Sequence, residues 1–192
     1  MAEQPVSLPF ADRAEAARLL ARRLAEEELP PDTVILGIPR GGVPVAAGVA
    51  RELGLVLDVV VAHKLGAPGN PEYALGAATA DGTVIVEPWA RDEGEATDAY
   101  LAAEAESQVR LARERERSLR GGRPRVPLTG RTVVIVDDGI ATGATAHVAV
   151  LAARAAGASR VIVAAPVAAS DTMIRLATIA DRAIALATPE PF

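Results

Sequence analysis

The chain has 192 residues, a formal net charge of −5 and no cysteine, and half of its residues are hydrophobic although only 3% are aromatic. That length supports a single α/β domain over residues 1–192 with a core of Ala, Val, Leu and Ile. The absence of cysteine excludes a disulfide framework and thiolate metal sites. The charge weighs against bulk attraction to nucleic acid or anionic lipid. No apolar run approaches the roughly 20 residues that span a bilayer, and Met1–Phe10 lacks the pattern of a secretory signal. A cytoplasmic protein with neither a membrane nor a nucleic-acid partner is expected.

Asp12 is positioned as the N-cap of a helix reaching about Glu28, with Ala16, Leu19, Leu20 and Leu24 at helical spacing, and Pro30-Pro31 stops it. Thr33 to Ile38 reads as a buried strand, Pro39-Arg40-Gly41-Gly42 as a turn and Val43 to Leu53 as a helix closed by Gly54. Leu57 to Ala62 reads as the next buried strand, so the pair is parallel with a helical crossover. His63 to Glu72 is rich in Gly and Pro and reads as a flexible loop. It holds Lys64, the one lysine beside nineteen arginines. Asp81-Gly82 between two short apolar runs predicts a hairpin.

Thr97 to Arg120 predicts a charged helix, with Glu106–Arg110 and Glu116–Arg120 in the favourable order. Its basic cluster (Arg110, Arg113, Arg115, Arg117, Arg120) alternates with Glu114 and Glu116 and has no aromatic neighbours. A solvated face accounts for it better than a nucleic-acid patch. Arg131 to Val136 reads as a strand, Gly143 to Ala156 as a helix closed by Gly157 and Arg160 to Ala165 as a strand. Ser170-Asp171 opens a last helix before a strand at Arg182 to Leu186. The predicted fold class is α/β: a mostly parallel, doubly wound sheet with helices on both faces.

The segment Val133 to Thr145 carries the most chemistry. Four β-branched residues lead into Asp137 and Asp138, followed by Gly139, Thr142, Gly143 and Thr145 at a helix entry. Unpaired N–H groups at a helix N-terminus, approachable through Gly, bind a phosphate, and Thr hydroxyls add donors. Carboxylates at the end of a parallel strand lie where such sheets bind ligands, and they accept from sugar hydroxyls. The segment therefore asks for a phosphorylated sugar. It lacks the Gly-Lys-Ser/Thr ending of a P-loop, and the chain contains no G-x-G-x-x-G.

These residues resemble the signature of the type I phosphoribosyltransferases, which use 5-phosphoribosyl-1-pyrophosphate (PRPP). Ile35 to Ala50 is similar to that family's pyrophosphate loop and following helix, and His63-Lys64-Leu65-Gly66 lies where the family has a flexible catalytic loop. The pattern extends over about Ile35 to Pro166. With Asn70-Pro71-Glu72 it is similar to a poorly characterised bacterial subgroup.

The resemblance implies a Mg²⁺-dependent phosphoribosyltransferase of the nucleotide-salvage type. Asp137, Asp138, Lys64 and Arg40 would be the catalytic residues. Ala141, Thr142, Gly143, Ala144 and Thr145 would hold the 5-phosphate, and Arg40, Gly41, Gly42 and Lys64 the pyrophosphate. A non-proline cis peptide is expected at Arg40-Gly41. Mg²⁺ would be held through PRPP and water, with Asp137 or Asp138 as its protein contact. His63 would be structural, or stand where relatives carry a second cation, and His147 would serve packing or the surface. The implied partners are PRPP, an unidentified nucleobase and a second copy of the chain in a homodimer.

Two departures narrow this. Ala141 stands where some purine-type members carry an Asp near the base, which disfavours a hypoxanthine/guanine assignment by analogy. The chain stops at Pro189-Glu190-Pro191-Phe192, which implies a truncated C-terminal hood over the acceptor. The alternative implied by the same fold is a non-catalytic regulator that binds PRPP or a nucleotide.

Overall fold

A computed structural model describes residues 8, 10–87, 90 and 96–190, apart from the side chain of residue 72. The expectations for most of Met1–Phe10, for the Glu72 side chain and for Pro191-Phe192 fall outside the described residues. The first helix, α1 (Arg13–Ala25), is capped by Asp12, whose side chain accepts from the backbone N–H of Glu15. It ends before Pro30-Pro31, with Glu28 at a positive φ of 50°.

Five strands form one parallel sheet: β1 (Val34–Gly37), β2 (Val56–Val59), β6 (Thr132–Val136), β7 (Arg160–Val167) and β8 (Arg182–Ala187). Their spatial order is β2-β1-β6-β7-β8. The chain winds outward from β1 to β2 through helix α2 (Gly42–Leu53). It then returns to β6 on the other side of β1 and continues outward through α4 (Ala144–Ala155) and α5 (Ser170–Leu176). The winding direction reverses between β1 and β6, and ligand crevices of open α/β sheets lie at such a switch point.

Every residue of β6 is buried, because the sheet is covered on both faces. Val134 and Val136 pack with Leu20 and Leu24 of α1 and Val45 and Val49 of α2. Val133 and Ile135 pack on the opposite side with Ala149 and Val150 of α4 and with Leu176 of α5. Strand alternation thus divides one apolar run between two cores.

A second, antiparallel sheet of β3 (Ala62–Ala67), β4 (Asn70–Thr79) and β5 (Val84–Val86) carries the remaining strands. This corrects the flexible loop expected at His63 to Glu72. Those residues are most of a hairpin that turns at Gly69, where φ is 74°. The hairpin expected at Asp81-Gly82 is present, with Asp81 accepting from the Thr79 hydroxyl and the Thr83 N–H.

Helix α3 (Asp98–Arg120) covers this sheet through Leu101, Ala105 and Ala112. Its basic cluster is not uniformly solvated. Arg113 donates to the Ala80 carbonyl. Arg120 lies between Asp58 (2.7 Å) and Glu116 (2.7 Å), two buried carboxylates. Glu116 also meets Arg125 at 2.9 Å, and Asp58 accepts from the Val126 N–H. This network fastens α3 to the edge strand β2 and to the segment leading into β6. Among the described residues no helix is long and apolar enough to cross a membrane.

Candidate active site

Parallel pairing of β1 with β6 sets Gly37 beside Val136, so the turns that follow the two strands emerge side by side. The first turn is Pro39-Arg40-Gly41-Gly42. It contains a non-proline cis peptide at Pro39-Arg40, one bond earlier than expected. The second begins with Asp137 and Asp138. Between them the spacing is so close that a β-carbon on Gly42 would lie 2.6 Å from the Val136 carbonyl oxygen and 2.8 Å from the Asp137 Cα. Glycine is required here by backbone approach, because α2 starts against the end of β6.

The two carboxylates differ in environment. Both are partly buried, and Asp137 Oδ1 accepts from the Asp138 N–H at 2.9 Å. Burial, the largest influence, and the like charge of Asp138 push the Asp137 carboxyl up to about 7, although that N–H works against them. Asp138 reaches over Gly41 and accepts from Arg13 Nη2 at 3.1 Å, a pairing of residues 125 positions apart.

The loop that follows is held from below. Ile140 is buried, its N–H donates to the Val167 carbonyl, and its own carbonyl accepts from the Ala169 N–H. The Thr172 hydroxyl donates to the Ala141 carbonyl (2.6 Å), and Arg175 Nη2 donates to the Thr142 carbonyl (3.2 Å) and to the Thr172 hydroxyl (2.7 Å). In a planar trans peptide the N–H opposes the C=O. With both carbonyls drawn toward α5, the N–H groups of Thr142 and Gly143 point away from it.

Gly143, at φ 77°, turns the chain into α4, and the first helical hydrogen bond is His147 N–H to Gly143 C=O. The N–H groups just before His147 therefore have no intrahelical acceptor. Ala141, Thr142, Ala144 and Thr145 are exposed around them. Unpaired N–H groups so exposed beside two carboxylates are suited to receive a phosphate monoester.

The structure thus brings Arg40, Gly41, Gly42, Asp137, Asp138 and Ala141 to Thr145 to one end of two neighbouring strands. Lys64 comes from a separate element, exposed on β3 in register with Ala77 of the second sheet. His63 Nδ1 is 3.2 Å from Gln108 Oε1 on α3, which is a structural role. His147 lines a cavity beside the loop together with Arg175. Sequence reading missed Arg13, Thr172 and Arg175. Their only signal is position: Arg13 follows a helix cap, and Thr172 and Arg175 are spaced i, i+3 on one helix.

Among the described residues no group of three His, Cys, Asp or Glu is arranged to hold a metal ion. The Asp137-Asp138 pair suits an ion held mainly by substrate oxygens and water, which is how Mg²⁺ is commonly bound beside phosphates.

Comparison with known proteins agrees with this geometry. The family model described as phosphoribosyl transferase domain matches residues 12–182. Two Mycobacterium tuberculosis proteins, from strains CDC 1551 / Oshkosh and ATCC 25618 / H37Rv and provisionally named phosphoribosyl transferases, are 48% identical over 184 residues. The match takes in 95% of this chain and 41% of theirs, so the chain spans about two fifths of the length of these curated relatives. The crystal structure of TT1426 from Thermus thermophilus superposes with a TM-score of 0.83 at 45% identity, over 96% of this chain and 87% of that one. A purine phosphoribosyltransferase from Pyrococcus horikoshii shares the fold, with a TM-score of 0.52 at 21% identity over 94% of this chain and 85% of that one.

Proposed function

The chain belongs to the phosphoribosyl transferase domain family, and on that premise we propose that it transfers the 5-phosphoribosyl group of PRPP to a nitrogen of a nucleobase, releasing pyrophosphate. The observation that carries the reading is the meeting of the Gly41-Gly42 turn with Asp137 and Asp138 at the switch point between β1 and β6.

Asp137 and Asp138 accept from the ribose hydroxyls. The N–H groups from Thr142 to Thr145, with the Thr142 and Thr145 hydroxyls, hold the 5-phosphate. Arg40 and the N–H groups of Gly41 and Gly42 meet the pyrophosphate, with Lys64 as a further cation from the second sheet. Their positive charge matters most as negative charge grows on the leaving group. Mg²⁺, carried in with PRPP, would neutralise part of that same charge.

The test is pyrophosphate release from Mg²⁺-PRPP across a panel of bases, together with the rise in melting temperature caused by PRPP. Asp137→Asn combined with Asp138→Asn abolishes both. Unchanged stabilisation in the double variant would sink the assignment of the site. Stabilisation without release, whatever the base, would instead identify a PRPP-binding regulator.

A further inference from the structure

An open cavity of about 640 Å³ lies beside Asp138, lined from the start of α1, from α2 and from the end of β7. Its volume lies in the range of small-molecule sites. Phe10, Val45, Pro166 and Val167 give it apolar walls, and its polar lining consists of Asp12, Arg13 and Asp138. Among the described lining residues Arg13 is the only cation. Asp12 uses Oδ1 to cap α1, and no described residue donates to its Oδ2. Arg13 uses Nη2 on Asp138, and an Arg presents five N–H donors.

Resting on the phosphoribosyl-transfer reading, we propose that this cavity takes the acceptor base and that Asp12 and Arg13 select an oxo-heterocycle by its lactam edge. A lactam places a C=O acceptor next to an N–H donor. Adjacent residues at one rim offer the complement, a guanidinium that donates to the oxygen and a carboxylate that accepts from the N–H. An amino-heterocycle reverses that edge. Its NH₂ would face Arg13 and its bare ring nitrogen would face Asp12, so neither charged group could form its hydrogen bond to the base and both would be left to water.

Apolar walls accept either ring system by stacking and packing, so discrimination falls to the edge. The shared lactam chemistry has two sources, a 6-oxopurine or a uracil-type pyrimidine.

The experiment measures binding of product nucleotides to the full chain by calorimetry, so that it does not depend on turnover. Inosine and adenosine 5′-monophosphate form one oxo/amino pair, and uridine and cytidine 5′-monophosphate the other. Ribose 5-phosphate serves as the ligand without a base. One hydrogen-bonded edge lost to an unpaired one corresponds to about tenfold or more in affinity. The oxo member of at least one pair is therefore expected to bind about tenfold tighter than its amino partner, and the pair that does so identifies the ring.

The ratio is the readout because Arg13 also touches Asp138, whose effect cancels between the two members. Arg13→Gln and Asp12→Asn are each expected to bring the ratio to about two or less, and Arg13→Lys to restore part of it. Equal affinities in both wild-type pairs, or a ratio that survives Arg13→Gln, would overturn the proposal while ribose 5-phosphate binding left the loop assignment standing. Absence of ribose 5-phosphate binding would overturn both.

Discussion

Gly41 lies directly beneath the carboxylate of Asp138, and a β-carbon on Gly41 would overlap the Asp138 side chain. The obstruction is the end of a side chain, which can rotate away. Gly42, one residue later, faces immovable backbone at the end of β6. The two glycines therefore separate function from stability. Gly41→Ala is expected to melt near the parent temperature and to lose the stabilisation by PRPP, because Asp138 is displaced. Gly42→Ala is expected to lower stability by about 1–3 kcal/mol, the usual cost of overpacking. Thermal melting of both variants with and without PRPP checks the contrast.

Asp137 gives the site a pH dependence of definite sign. Its carboxyl is raised to about 7 in the fold, chiefly by burial, from 3.8 as a free side chain. Between those values the folded state binds more protons than the unfolded state, so this group makes stability fall as pH rises. The cost is absent below about pH 4 and fully present above about pH 7. Asp137→Asn is expected to be more stable than the parent at pH 8, by on the order of 1 kcal/mol or more, with the advantage fading at pH 4. Denaturant midpoints across that range test it, and an advantage independent of pH would remove the role given to burial. Ribose hydroxyls need the ionised acceptor, so KM for PRPP should fall between pH 6 and pH 8.

Thr172 and Arg175 draw the Ala141 and Thr142 carbonyls toward α5. Neither reaches the loop's open side through those bonds, so both are positioning residues. Each hydrogen bond is worth about 1 kcal/mol. Thr172→Val and Arg175→Met are expected to raise KM for PRPP by about five- to tenfold with a smaller change in kcat, because the N–H groups lose their fixed direction. Arg175→Lys should recover part of the loss. A lower melting temperature with unchanged KM would show that the brace supports α5 alone.

What the sequence by itself determined is local. Runs such as Val133 to Val136 specify strands buried on both faces, Asp12 specifies a helix start, and the order of Asp137, Asp138, Gly139, Thr142, Gly143 and Thr145 specifies an exposed loop and helix entry with carboxylates beside it. Each rests on neighbouring residues in the chain, whose side chains and N–H groups act within a turn or two.

Tertiary structure decided what depends on approach between distant segments. The stretch from His63 to Glu72 reads as breakers, yet it pairs as strands. Gly69 supplies the turn, and Gly66 admits the backbone of Pro71, where a β-carbon would lie 2.8 Å from the Pro71 Cα. The cis bond falls at Pro39-Arg40, and only the docking of α2 against β6 fixes where that turn lies. Arg13 reaches Asp138, and Arg175 reaches Thr142, only because helices at opposite ends of the chain pack on opposite faces of one sheet and meet the loop at the end of β6. No spacing rule in a single chain encodes a contact across 125 residues, and the cavity beside Asp138 is lined by residues from such distant segments.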